Sequence, residues 1–300
     1  MVSMAFGYRP GKPHAHAHIG TALSVLTNAD KLPELEAYPS FLPFRAGRVY
    51  QDNISECLPC SIKRAVQLYH MVRGNGTVLL SELLVYAVAR IAEWRMNHPL
   101  EDADRRPSLE SIGDVGSIPE LTITALKRIG IVDETAWPGP ASPSWRARRI
   151  NDEPTPDCLV DAYDATGIEA FEVDRKKPLR DSVLELAPYG FAVICAINAS
   201  RLARYNPRAS IVRDLPASGQ NHMVAILDAT DRAFMRLDNW WDASPDGGPS
   251  WGDQSLNALG QVDSRTKGTW RVDPSNLDDG ASDVLAIRCA PTLAKKGKAA

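Results

Sequence analysis

Gln51-Asp52-Asn53-Ile54-Ser55-Glu56-Cys57-Leu58-Pro59-Cys60-Ser61-Ile62-Lys63-Arg64-Ala65 is the stretch that decides how this chain reads. A polar loop carrying a Gln runs into a Cys, and a helical pattern begins at once. Ile62, Ala65, Val66 and Tyr69 recur at three- and four-residue intervals, so one face of that helix is apolar. A Cys at a helix N-terminus meets backbone N–H groups and the positive end of the helix dipole, both of which favour the thiolate. The thiolate is the reactive form, so Cys57 is a candidate nucleophile. Taken alone, the stretch fits a small buried hydrophobe better, and the rest of the chain has to decide.

The composition sets bounds. The chain has 300 residues, 44% hydrophobic and 24% charged, with a net charge of −3. That suits one large domain or two lobes sharing a cleft. No basic excess points to nucleic acid, and no apolar run approaches the roughly 18 residues of a membrane span. Residues 1–10 lack a basic segment followed by an apolar one, so no cleaved signal is expected. The expected location is cytoplasmic, or exported by a route without a cleaved signal. Five Cys are too few and too scattered for a disulfide framework. Cys158, Cys195 and Cys289 fall in apolar segments and read as reduced core residues.

Along the chain, residues 1–50 are loop-like, with one short helix expected from about Thr21 to Glu36. His14, His16 and His18 alternate with alanines and would share one side of an extended segment. Zinc sites usually recruit ligands from more than one element, so a solvated segment is the better reading there. A central helix runs from Cys57 to Arg73. Ser81 caps a second helix, and Ser117, with Pro119 in the first turn, is expected to cap a third that ends at Gly130. Pro138 to Pro156 is proline-rich and reads as a connector. Beyond it come Ala170–Val173, the helix Leu179–Leu186, and apolar or alternating runs at Phe191–Ile197, Met223–Leu227, Ala233–Leu237, Trp270–Val272 and Val284–Arg288. Helices first and strands later predict an α+β fold of two packed lobes. The tail, 292–300, is basic and expected to be disordered.

A second half of the site is visible among the strands. His222 directly begins the Met223–Leu227 run, and Asn239 follows the Ala233–Leu237 run. If a turn near Asp228–Arg232 joins the two as an antiparallel pair, their ends lie side by side. An Asn amide oxygen there can accept the imidazole N–H, and Trp240 and Trp241 can shield that bond. Cys, His and Asn then form a nucleophile, a base and an orienting group.

At this point the chain resembles the papain-like cysteine peptidases. That family has a Gln six positions before the nucleophilic Cys at a helix start, then a distant His, then Asn-Ser-Trp-Gly and Trp-Gly. The corresponding residues are Gln51, Cys57, His222, Asn239-Trp240-Trp241-Asp242 and Trp251-Gly252. Leu80-Ser81-Glu82-Leu83, Gly116-Ser117 and Thr124 to Gly130, followed by Trp137-Pro138, are also similar. The resemblance covers about residues 44–291. It implies a papain-like two-lobed fold with an N-terminal extension, 1–43, a helical lobe, about 51–137, a β-rich lobe, about 157–291, and the site in the cleft between them. It implies hydrolysis of peptide bonds in a polypeptide substrate by Cys57, His222 and Asn239. The Gln51 side chain and the Cys57 N–H would form the oxyanion hole. Gly116, Ser117, Met223 and Trp241 would bind substrate, with apolar Met223 lining the pocket for the second side chain on the acyl side. No metal or organic cofactor is required, and no oligomeric state is implied.

Departures from the family pattern cluster around the cleft. Ser55-Glu56 stand where the family has Gly-Ser, Leu58 follows the Cys where it has Trp, and an insertion, Ser244 to Ser250, separates Trp241 from Trp251. The preamble is not expected to form the long helical pro-domain of lysosomal members of that family. An endopeptidase is the primary expectation. The same triad can also run acyl transfer, transglutaminase-like chemistry or deamidation, and the fold can serve as a catalytically silent binding module.

Overall fold

The computed structural model describes residues 9, 19–45, 51, 54–76, 80–99, 107–137, 149–159, 167–204, 211–238 and 268–289. Helices dominate before residue 137 and strands after 167. The early helices are α1, Ile19–Leu23, α2, Pro33–Ala37, α3, Cys57–Val72, α4, Glu82–Asn97, α5, Leu109–Ile112, and α6, Pro119–Ile129. The later ones are α7, Leu179–Leu186, and α8, Pro274–Gly280. The strands are β1, Ile168–Glu172, β2, Ala192–Ile197, β3, His222–Asp228, β4, Met235–Asp238, β5, Thr269–Val272, and β6, Ser282–Cys289. They form one antiparallel sheet in the order β1-β6-β2-β3-β4-β5.

The central helix α3 lies across this sheet. Leu58, Ile62, Ala65, Val66 and Tyr69 share a core with Ile194 and Ala196 of β2, Met223, Ala225 and Leu227 of β3, and Leu285 and Ile287 of β6. The opposite sheet face carries Val193, Cys195, Ile197, Val224, Ile226 and Ala286, covered by Leu179, Val183 and Leu186 of α7 and Leu277 of α8. A strand buried on both faces needs apolar residues at every position, which is why Ala-Val-Ile-Cys-Ala-Ile of β2 shows no alternation. Truncating a fully buried Leu58 or Ile62 to Ala would cost about 2–5 kcal/mol.

Two sequence expectations need correction. The helix expected over Thr21–Glu36 is instead α1, a 3-10 turn at Asn28–Asp30, and α2. Thr27 accepts from the Ala29 N–H at 3.2 Å while Asp30 accepts from the Thr27 N–H at 2.7 Å, so this capping box starts a new turn. Ser117 does not cap α6; Ile118 is the cap residue and makes no side-chain cap bond. Pro119 holds the residue before it in extended conformation, which moves the boundary one residue on. Ser81 does cap α4, accepting from the Leu84 N–H at 3.2 Å, and Gly130, at φ 87°, ends α6. Among the described residues no helix is long and apolar enough to cross a membrane.

Candidate active site

The loop entering α3 is held by polar contacts. The Gln51 amide nitrogen donates to the Ile54 carbonyl at 2.7 Å, which fixes the amide plane; the same nitrogen carries a second hydrogen. Cys60 N–H donates to the Glu56 carbonyl at 3.0 Å, the first α-helical bond, so Cys57 is the first helical residue. Its N–H therefore belongs to the set that a helix start leaves without an intrahelical acceptor. Pro59, inside the first turn, has no N–H to lose and suits that position.

Across the interface, the Met223 N–H donates to the Cys57 sulfur at 3.4 Å. Met223 follows His222 in β3, so the fold brings the beginning of α3 and the beginning of β3 together. Alternation along β3 points Met223, Ala225 and Leu227 at α3, while His222 stands at the strand's end in register with Ile197. Gln51, Cys57, His222 and Met223 are all fully buried. Asn239 and Trp241, together with Trp240, Trp251 and the segment with His14, His16 and His18, lie outside the described residues.

The five cysteines are free thiols, but their surroundings differ. Burial pushes the Cys195 and Cys289 thiols up to about 12 and raises that of Cys158. Such thiols are inert near neutrality. Cys60 lies one turn into α3, inside the core.

A polar network missed by sequence reasoning ties the loop before Cys57 to the Gly116–Ser117 edge. Both carboxylate oxygens of Asp114 accept from the Ser55 N–H, at 3.0 and 3.1 Å. Tyr86 donates to the same carboxylate at 2.5 Å and accepts from the Gly116 N–H at 2.9 Å. Burial and the Asp114 charge raise the phenol's pKa well above its ordinary value, keeping it a donor. Gly116 has φ 78°, a conformation other residues rarely adopt. Arg90 donates to the Gly113 carbonyl at 2.7 Å and lies 4.8 Å above the Tyr86 ring. In the sequence the Asp114-Val115-Gly116-Ser117 run offers the one signal of this network, and nothing there pairs it with Tyr86.

The edge itself is met by Arg9. Arg9 N–H donates to the Ser117 carbonyl at 3.2 Å. Its guanidinium forms an ion pair with Glu93 and reaches the Gly116 carbonyl at 3.4 Å.

Helices packed on an antiparallel sheet, with the Cys at the start of the central helix and the His at the start of a strand, make up the papain-like fold. No family model and no curated protein matches the sequence, and the likeness to known proteins is one of fold. Xylellain, a cysteine protease from Xylella fastidiosa, superposes with a TM-score of 0.60 at 18% identity, over 96% of this chain and 97% of that one. Procathepsin B S9 from Trypanosoma congolense gives 0.57 at 13%, over 96% and 87%. Digestive procathepsin L 3 of Tenebrio molitor larval midgut gives 0.54 at 14%, over 96% and 76%.

Proposed function

We propose that the chain is a cysteine-type peptidase that hydrolyses peptide bonds in polypeptides with Cys57 as nucleophile. The observation carrying this reading is the contact between the Cys57 sulfur, at the start of α3, and the N–H of the residue that follows His222. It supports a thiol and an imidazole sharing one site, within a fold whose compared relatives are cysteine proteases.

The chemistry follows from the groups available. The Cys57 thiolate adds to the scissile carbonyl, and His222 holds the thiol proton as imidazolium. The carbonyl oxygen takes the negative charge and accepts from the Cys57 N–H and the Gln51 amide; one such donor is worth about 2.7–4 kcal/mol. As the tetrahedral adduct collapses, the C–N bond breaks and His222 gives its proton to the leaving amine. Water, deprotonated by His222, then cleaves the thioester and restores the thiol. Asn239 keeps the imidazole oriented through these steps. Gly116 and Ser117 supply the edge along which substrate backbone pairs, and Met223 and Trp241 contribute apolar surface beside it.

The test is a labelled, peptide-based epoxide together with a peptide library read by mass. Labelling at Cys57 and products differing from substrate by one water are expected. Products carrying an added amine instead would assign the site to acyl transfer, and absence of both labelling and turnover would assign the fold to binding alone.

A further inference from the structure

We propose that Glu93, with the Gly116 carbonyl, forms a subsite for a basic side chain of the polypeptide substrate, and that Arg9 is the occupant this chain supplies itself. The proposal rests on the peptidase reading for the identity of the incoming ligand. Its geometry is independent of that reading.

Arg9 engages the edge as a peptide would. Its backbone N–H bonds the Ser117 carbonyl at 3.2 Å, a main-chain contact open to any residue that replaces it. Its side chain then runs to α4, where the guanidinium pairs with Glu93 while reaching the Gly116 carbonyl at 3.4 Å. Two acceptors, one of them charged, thus converge on one cation beside a backbone acceptor of the edge. Guanidinium groups suit such a site because several N–H donors diverge in one plane.

Glu93 is only 8% exposed. A carboxylate so placed needs a cation, since removing its partner leaves a buried charge uncompensated. Of the two arginines of α4 itself, Arg90 is directed to the Gly113 and Ile150 carbonyls and to the face of Tyr86, and Arg95 lies over the Trp94 ring. Among the described residues the ion pair of Glu93 is with Arg9. The Arg9 side chain remains 36% exposed, so water and a competing peptide can both reach it. A substrate that takes the Ser117 carbonyl displaces Arg9 and gains most if it also brings a positive charge to Glu93.

The test uses the full chain carrying Arg9→Ala, which empties the subsite. Blocked fluorescent peptides differing only by Arg, Lys, Gln or Glu at successive acyl-side positions are compared twice. Turnover is measured with Cys57 intact, and binding by anisotropy in a Cys57→Ala background. At one position Arg should exceed Gln by about ten-fold, the size expected of a charge-assisted hydrogen bond. Lys should fall between them, Glu should be poorest, and added salt should shrink the spread. Glu93→Gln should bring Arg and Gln to within about two-fold of each other. A preference that survives Glu93→Gln, or an equal response to all four peptides, overturns the subsite. Should Glu93→Gln fail to fold, the order of the four peptides and its salt dependence in Arg9→Ala decide alone. Selective binding without cleavage would sink the peptidase reading and keep the subsite; cleavage without selectivity would do the reverse.

Discussion

Arg64 Nε lies 2.6 Å from Asp238 Oδ2, with both side chains fully buried, so an ion pair joins the second turn of α3 to the last residue of β4. Arg45 completes it, donating to Asp238 Oδ1 through Nη2 at 2.8 Å and Nε at 3.1 Å. Burial lowers the Arg64 pKa while the Asp238 charge opposes that shift. One carboxylate thus sits between two guanidinium groups, and Asn239 is the next residue in the chain. Asp238→Ala should cost about 3–5 kcal/mol, because it strands two buried cations. Replacing Arg45, Arg64 and Asp238 together by apolar residues of similar volume should recover much of that loss. Urea denaturation of the two variants checks both halves; equal losses would show that the charges are not what the site requires.

Tyr86 and Asp114 link the loop before Cys57 to the Gly116–Ser117 edge. Tyr86→Phe removes the hydroxyl that donates to Asp114 and accepts from Gly116. Leaving the Gly116 N–H without its acceptor, and Asp114 with the Ser55 N–H but without the phenol, should cost about 1–3 kcal/mol of stability. The loop carrying Ser55 should also loosen, so epoxide labelling of Cys57 should slow while general folding persists. Denaturation curves and labelling rates on the same samples would separate the effects. An unchanged labelling rate would confine the network to a structural role.

Much of this was legible in the sequence, and the misses have physical causes. Strand after strand was readable because a sheet covered on both faces demands apolar runs, as in β2. Periodicity marked α3, α4 and α6, and Ser81 marked the start of α4 as its cap. The helix expected over Thr21–Glu36 does not form as one, because Thr27 and Pro33 restart the chain between apolar and helix-forming residues that would otherwise run on. The short helices α5 and α8 escaped attention although Ser108 and Asp273 cap them, since too few residues follow to show a period. Cys57, His222 and Gln51 stood out by residue type. Asp114, Arg64 and Glu93 did not, because charge in a sequence reads as solvated surface until tertiary packing buries it.

The proposed chemistry uses a thiolate, an imidazole and hydrogen-bond donors. Turnover should therefore be indifferent to chelators. Assays after dialysis against a strong chelator, with and without added zinc, provide the check. Loss restored by zinc would require a different mechanism.

Thiol titration should separate the cysteines by pH. With pKa values raised to about 12, Cys195 and Cys289 remain protonated at pH 7 in the folded chain. Their labelling should begin only under strongly alkaline or denaturing conditions. The sign also fixes a stability trend. An unfolded thiol ionises near about 8.5, so the stability held by keeping these two protonated is complete below that pH. It is lost progressively as the pH climbs toward about 12. Replacing both by Ala should flatten this part of the stability–pH curve relative to the parent chain.

The decisive comparison is between Cys57 and Cys60, three residues apart on the same helix. Gln51 precedes Cys57 by six residues and Cys60 by nine. Only the first interval matches the papain-like pattern, although that family also has a Cys-x-x-Cys signature whose second Cys reacts. Cys57 is the first residue of α3 and its sulfur meets the Met223 N–H; Cys60 has already entered the helical bonding pattern through its bond to Glu56. The helix-terminus effect on a thiolate fades within one turn, so it favours the earlier position. Cys57→Ala should abolish both turnover and epoxide labelling. Cys60→Ala should keep most of each, with only the stability change of a small core truncation. If Cys60→Ala were the inactive variant, the nucleophile would lie one turn deeper, and the oxyanion role proposed for Gln51 would fall with the Cys57 assignment.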